Sequence, residues 1–480
     1  MAMDTALLMV ACMHLDIDPP AAFHPTDPGA AQYASVVRAA WPDHPPVTVQ
    51  GALTEDLLPP AVAKRLRRLR LHERELWIYR HTSLAGGLPR PLDDGGDGGG
   101  DGDGDGGGGG NGADGGGADA AAARAAEPVI DGGSVAPCNR DAALTLWEGV
   151  FPRRTPYLHA GGLPLLHCLA ASDELLVLQD LGPPSAGDAN DDAVADDDGD
   201  GYRVAGAPNF AAGLTLEQAA AAAAALAHLH RSFAAPASRR GFPSPSPSAA
   251  AGALDRAVTA SLAVGADGGD APDGGGGAAF WAAAPPKVAR WVADIHPLSA
   301  AAAARYACPR TVVHGEPLGA ALRFWAAGAA GRLAAVAHWQ QATVAAPATD
   351  IAVLFHAGLP PALRRDHEAD LLRGYWRVLT GAGEGEGGGG GGWGGGGGPR
   401  APPPTGADAL ATAPAPPPPY ECTWEALRGD YVAAYELTAL RLVRAAPLFE
   451  GSPEAAARLV ASLTDLRKRR LGGGGGGEDA

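Results

Sequence analysis

Five stretches rich in glycine, proline and aspartate, at 93–126, 183–201, 234–279, 381–419 and 472–480, cut this chain of 480 residues into pieces. They constrain the fold more than any other feature, because a core must be assembled from segments far apart in sequence. Gly 69 and Pro 43 gather mainly there and together approach a quarter of the chain, near the level of low-complexity sequence. The stretches read as disordered insertions without packed structure, which a folded domain tolerates because loop-closure entropy grows slowly with length. About two-thirds of the chain remains, enough for one large domain or two modest ones. No Gly-X-Y period occurs, which excludes a collagen-like fibre. Hydrophobic residues at 46% argue against a wholly unfolded chain.

The net charge of −17 comes mostly from two of these stretches. Residues 93–119 hold eight Asp and 188–200 hold seven, with no base in either, so the remainder is nearly neutral. The only basic cluster, Lys64 to Arg70, suits an element face better than a phosphate surface, so nucleic acid is not an expected partner. No apolar run is long enough to span a membrane. The start lacks a basic region before its short apolar run, which fits neither a secretory signal nor a transit peptide. Five scattered cysteines without a CxxC pair suggest reduced thiols and a cytoplasmic setting rather than disulfides or zinc. Lysine occurs only at 64, 287 and 468, against 34 arginines, and Ala is abundant. In so biased a composition each retained Trp, His or Tyr is informative, and Ala or Gly is not.

Hydrophobic patterning predicts a helix from Pro60 to Arg67 followed by a hairpin, Arg68–His72 and Glu75–Thr82. Residues 139–151 read as a helix, and 174–181 (ELLVLQDL) as an apolar strand ending in a Gly-Pro-Pro turn. A helix opens at Thr215 with the capping pattern Thr-Leu-Glu-Gln and runs to Leu229, His230 and Phe233. Helices are expected at 287–296, 299–306, 361–380 and 423–446, and short strands at 310–314 and 332–337, these two adjacent and antiparallel. The layout is α+β. Its divisions are a partly helical segment 1–59, a small lobe 60–182, a large lobe 183–471 and a disordered tail 472–480.

The chemistry concentrates in 310–356. One strand delivers His314-Gly315-Glu316 to a loop, and a second delivers His338-Trp339-Gln340 beside it. Twelve residues after His338, Asp350 opens an apolar helix. Two strand ends side by side, each with polar side chains, can hold a substrate hydroxyl and a metal.

This frame resembles the aminoglycoside phosphotransferase and choline-kinase-like superfamily, particularly its ecdysteroid-kinase-like (CHK kinase-like) branch. That family's catalytic loop reads H-G-D-x-x-x-x-N, its metal strand D-W-Q, and a D-L-A or D-I-A helix start follows. Here the matching residues are His314, Gly315, Glu316, position 321, Trp339-Gln340 and Asp350-Ile351-Ala352. Leu175 to Gly182 resembles the hinge strand, Gly213 to His230 the first large-lobe helix, and Tyr420 to Arg441 the closing helix. The resemblance implies a two-lobed protein-kinase-like fold, Mg-ATP as cofactor and a small-molecule ligand in the cleft. Glu316 takes the position of the base, Ala321 and His338 the metal positions, and His314 and Asp350 structural ones.

The departures sit on the chemistry. Glu316 carries one methylene more than Asp, a displacement of about an ångström that can cost roughly a hundredfold in rate. Ala321 supplies no ligand, and His338 offers nitrogen where Mg²⁺ takes oxygen. The nucleotide Lys is missing from the candidate strands 75–80 and 127–131, where Arg80 is the nearest cation. Asp141 and Glu148 compete for the acidic position on the small-lobe helix. Asp350 is expected to cap its helix and accept from loop amides, and His338 to be satisfied or solvated rather than a zinc ligand. The Asp-Gly run 101–106 lacks a calcium loop's closing Glu. The reading favoured is a pseudokinase with weak or absent phosphotransfer; the alternatives are an atypical kinase with Glu316 as base and a non-enzymatic ligand-binding scaffold.

Overall fold

The computed structural model describes residues 22–25, 34–41, 44–52, 70–84, 157–158, 164–165, 168–171, 175–179, 212–245, 247–267, 278–296, 306–318, 321–324, 333–382, 420–446 and 452–472. The expected insertions 93–126 and 183–201, the helix at 139–151, all but Tyr306 of the helix at 299–306, the strand 127–131 and nearly all of 381–419 and 472–480 lie outside them. What is described mixes helices with three sheets, in keeping with an α+β class.

The largest sheet is antiparallel throughout, in the order Ala22–Pro25, Ala34–Trp41, His44–Ala52, Leu175–Gln179, Cys168–Ala171. Three of its strands come from 1–59, expected to be partly helical. The β-branched run Val47-Thr-Val49 explains the difference: it pairs with Gln179, Leu178 and Val177 and buries Val49 completely. The expected strand 174–181 is present at Leu175–Gln179. The expected hairpin 68–82 is instead one helix, Leu71–Leu84. Its aromatic residues suggested a strand, but Leu76, Trp77, Ile78 and Tyr79 are all buried in the core, a burial that overrides local strand propensity. Arg80 is accordingly on a helix and not on a strand.

Thr311–Val313 and Leu333–Val336 both form strands, but they are not partners. Thr311–Val313 pairs antiparallel with Thr343–Ala345, and Leu333–Val336 pairs antiparallel with Leu322–Phe324 and parallel with Pro164–Leu165. The expected pairing of 310–314 with 332–337 is overturned, and with it the form of the two-lobed reading that required it. The cause is Leu322–Phe324, a strand too short for a periodicity signal, which closes a local hairpin with its nearest neighbour at less entropic cost than a longer loop.

The helical part is built on Leu216–Ser232, which packs along Pro361–Thr380. Its start has the full capping box: Gln218 N–H donates to Thr215 Oγ1 at 3.2 Å, and Thr215 N–H to Gln218 Oε1 at 3.0 Å. Its alanines at 219, 222, 223 and 227 are buried, and such small side chains allow close helix approach. Ala348–Val353 is wholly buried and runs into a π-turn, Leu354–Gly358. Against it pack Trp424–Ala433 and Tyr435–Ala445, two helices where one was expected, with Pro453–Gly472 beyond.

Two further expectations fail. Segment 234–279 is not an unpacked insertion: it contains the helix Pro247–Asp267, whose Leu254 and Val258 are buried and whose Ser261 accepts a hydrogen bond from Trp281 Nε1 at 2.9 Å. Ala-rich composition hid an amphipathic helix there. Nor are all cysteines free thiols. Cys308 and Cys422, separated by 114 positions, form a disulfide with Cα atoms 5.3 Å apart, a pairing that sequence spacing does not reveal. The cytoplasmic setting loses the support it drew from reduced thiols, since disulfides persist in oxidising surroundings. Among the described residues no helix is long and apolar enough to cross a membrane.

Because Leu254 is in the core, Leu254→Ala should lower the free energy of unfolding by about 2–4 kcal/mol, measured from urea midpoints. A change below about 0.5 kcal/mol would return this segment to the class of unpacked insertions.

Candidate functional site

The site grows from the carboxylate of Asp350, fully buried at the first turn of Ala348–Val353. It does not cap its own helix. It accepts instead from the backbone of the facing loop: His314 N–H to Oδ2 at 2.6 Å and Gly315 N–H to Oδ1 at 2.8 Å. His230 Nε2 donates to Oδ2 at 3.2 Å, and the Tyr375 hydroxyl donates to His230 Nδ1 at 2.7 Å. Burial alone would raise the Asp350 pKa. The hydrogen bond from His230 foremost, with the positive charge of Arg441 beyond it, more than offsets this and holds the carboxyl below its ordinary value. Tyr375 is pushed well above the usual tyrosine range by its burial and keeps its proton to donate.

His314 is also fully buried. Its Nδ1 accepts from Glu316 N–H at 3.3 Å, which leaves Nε2 to donate to the Ala337 carbonyl at 2.8 Å. Burial lowers its pKa, so the ring is neutral. This side-chain bridge, rather than a strand ladder, brings the loop beside the residues before Trp339. Gly315 makes the approach possible: its φ is +87°, and a Cβ there would lie 2.1 Å from the Gln341 carbonyl oxygen.

At the base position, Glu316 Oε1 is 3.1 Å from Arg444 Nη2, both side chains being 17% exposed. Positions 321 and 338, where metal ligands were expected from the resemblance, are adjacent: Ala337 N–H donates to the Ala321 carbonyl at 2.9 Å, and His338 follows directly. Ala321 is buried with only its methyl group to offer. His338 sits in the left-handed region at φ 63° and ψ 55°, and its Nε2 is shut off from solvent without a hydrogen-bond partner. Burial, reinforced by Arg323 and His314, pushes its pKa down to about 3. A methyl and a neutral nitrogen do not make a site for Mg²⁺, which takes oxygen ligands in near-octahedral order. Among the described residues no three His, Cys, Asp or Glu side chains gather where a metal could be held.

The strands of the large sheet contain no lysine, and Lys287 and Lys468 lie on distant helices. Arg80 is on the helix Leu71–Leu84 and not on a strand; Asp141 and Glu148 lie outside the described residues. The acidic residue that reaches the site is Glu75, which accepts from Trp339 N–H at 3.2 Å. Beside it Arg74 Nη1 donates to the carbonyls of Gln340, at 3.3 Å, and Ala342, at 3.2 Å. Burial foremost, then the charges of Arg444 and Arg70, bring the Arg74 pKa down to about 10, so it stays charged at neutral pH.

Sequence reasoning therefore missed Arg74, Glu75, His230, Tyr375, Arg441 and Arg444. His230 and Tyr375 belong to the rare residue types that the compositional bias makes informative. The four charged residues gave no signal, being ordinary helix residues whose facing elements lie hundreds of positions away or across a helix pair.

No protein-family model matches this chain, and no curated protein matches it. Among solved structures, it is similar to the apoenzyme of macrolide 2'-phosphotransferase MphH from Brachybacterium faecium, with 13% sequence identity, 96% of this chain and 97% of that one covered, and a TM-score of 0.37. At that identity and score the likeness assigns neither fold nor activity.

Asp350→Ala strands two backbone amides and one imidazole N–H, each costing about 1–3 kcal/mol when buried without an acceptor. The unfolding free energy should fall by on the order of 3–5 kcal/mol in urea titrations, and Asp350→Asn should lose less. A loss under about 1 kcal/mol from the Ala variant would show that the loop is held by other contacts.

Three histidines with lowered pKa values predict acid sensitivity. His338, His314 and His356, the last lowered to about 4 chiefly by burial, all have folded pKa values below the ordinary 6.5. The unfolded chain then binds more protons, so stability is full above about pH 7 and declines as pH falls toward 4. Asp350, also lowered, adds its loss only below the ordinary aspartate range. His338→Asn, tolerant of the left-handed backbone, should flatten the slope by about one proton between pH 6 and 4. A midpoint that is flat from pH 7.5 to 5 in the unsubstituted chain contradicts this.

Proposed function

We propose that the chain is a kinase-like protein of the small-molecule phosphotransferase type, from the CHK kinase-like branch, in which phosphotransfer is weak or absent and the cleft holds a small-molecule ligand. The observation that carries this reading is the pair of neighbours Ala321 and His338. They adjoin the Glu316 loop, where the resemblance places metal ligands, and supply one methyl group and one neutral imidazole. The loop around them keeps its order, with His314 and Gly315 clamped on Asp350. What supports a pseudokinase is this ordered loop beside positions without oxygen ligands, although the strand pairing expected of the frame is not the one formed. Mg-ATP is accordingly not a cofactor this site is built for. The partner expected is a small molecule rather than nucleic acid or a membrane, in keeping with the scarcity of basic clusters in the sequence.

The test restores the oxygen donors. In the double variant His338→Asp, Ala321→Asn the two substitutions stand at neighbouring positions, and Asp is among the residues that tolerate a left-handed conformation best. Calorimetry should show Mg²⁺-dependent ATP affinity rising at least tenfold over the unsubstituted chain, while turnover stays low for want of a nucleotide Lys. Equal binding by a well-folded double variant would mean that the metal site is elsewhere. Conversely, saturable Mg-ATP turnover by the unsubstituted chain, abolished by Glu316→Ala, would establish an active kinase.

A further inference from the structure

The strand Thr311–Val313, which leads into the His314–Glu316 loop, is entered through a short stretch gripped at each residue from Ala307 to Thr311. Ala307 N–H and Cys308 N–H donate to the Asp430 carboxylate at 2.7 and 2.8 Å, and the Tyr420 hydroxyl donates to the Pro309 carbonyl. Arg239 donates to the Arg310 carbonyl, and Thr311 Oγ1 to the His230 carbonyl at 2.7 Å. Cys308 is also bonded to Cys422. The holds from Tyr420, Cys422 and Asp430 come from one segment of the chain, and they divide at Thr423. Its Oγ1 accepts from Ala426 N–H at 3.1 Å and caps the helix Trp424–Ala433. Asp430 is inside that helix. Tyr420 and Cys422 stand ahead of its cap, where Trp376 Nε1 also donates to the Cys422 carbonyl at 2.9 Å.

Breaking the disulfide therefore leaves the helix docked through Asp430 and closed by its own cap, and loosens only the residues before it and the entry to the strand. The bond is also open to chemistry from one side: Cys422 is partly exposed, whereas Cys308 is 4% exposed. Access of this kind is what thiol–disulfide exchange requires. We propose that Cys308–Cys422 is a redox-modification site, cleaved reversibly by a dithiol reductant, that sets how firmly the His314–Glu316 loop is held. One thiolate of the reductant attacks Cys422 Sγ, the bond to Cys308 breaks, and Cys308 leaves as a thiolate and takes up a proton. The second thiolate then attacks the reductant's own sulfur in the mixed disulfide and expels Cys422, which is protonated in turn. The chain gains two electrons and two protons, and the dithiol is oxidised to a disulfide. This rests on the loop being the functional one, as in the function proposed above, and adds its regulation.

The experiment applies dithiothreitol, a small dithiol, to the oxidised full chain at neutral pH without denaturant. Iodoacetamide labelling with peptide mapping reads the thiols, far-ultraviolet circular dichroism the helix content, and amide hydrogen exchange the loop. Cys308 and Cys422 should become alkylated together while helix content is unchanged. Exchange over 307–316 should quicken at least about tenfold, and exchange over the helix Leu216–Ser232 should stay as it was. Oxidised glutathione should restore the slow pattern. Cys422→Ser should show the fast pattern permanently and lose the response to dithiothreitol; where that variant does not fold, reduction of the unsubstituted chain carries the test alone. A bond that resists dithiothreitol until the chain is unfolded overturns the site and makes it a fixed staple. Reduction that leaves exchange over 307–316 unchanged overturns it too, as does reduction that speeds the helix equally. No readout involves nucleotide or turnover, so these failures leave the kinase-like reading standing. Conversely, Mg-ATP turnover by the unsubstituted chain would overturn weak phosphotransfer without touching the redox site.

Discussion

The carboxylate of Asp350 is the hinge on which this structure turns. It is wholly removed from water, a position that costs an isolated carboxylate several kcal/mol unless every lone pair is answered. Two loop amides and one imidazole answer them, and each of those donors is itself held in place. His230 is oriented by the Tyr375 hydroxyl, and its carbonyl accepts from Thr311 Oγ1 at 2.7 Å, so the strand leading into the loop and the helix behind it are tied at the same residue. The loop therefore has one arrangement, and the groups at 316, 321 and 338 inherit their positions from it.

This order persists where the chemistry has been altered. The structural contacts of the loop run through backbone amides, the His314 ring and a glycine, none of which depends on what stands at 316, 321 or 338. Glu316 takes an arginine partner, and His338 accepts a left-handed backbone with its Nε2 closed off from water. Holding a loop and carrying out a reaction on it are thus separable tasks in this fold.

Much of this was legible in the sequence, for physical reasons that can be named. The helix after Thr215 was readable because a capping box is a local pattern of four residues, and Leu175–Gln179 because an apolar run between turn residues has few other uses. His314, Gly315 and Asp350 were readable as a spacing. The failures have a common origin in burial and long-range partners. The helix Leu71–Leu84 looks like a strand because all sides of its middle are apolar, and that follows from being enclosed on all sides. Segment 234–279 looked unstructured because alanine and glycine dominate it, although a few apolar residues at helical spacing suffice to dock it. Arg441, Arg444 and the Cys308–Cys422 bond depend on which helix comes to lie beside the loop, and no local pattern records that.

The tether between the helix Leu71–Leu84 and the turn at 339–342 has a last consequence. Glu75 grips an amide hydrogen and Arg74 two carbonyl oxygens, all three of them backbone groups of the turn. Such a grip recognises the path of the main chain rather than the identity of the residues threaded along it. Side chains in this turn can therefore be exchanged without removing these three hydrogen bonds.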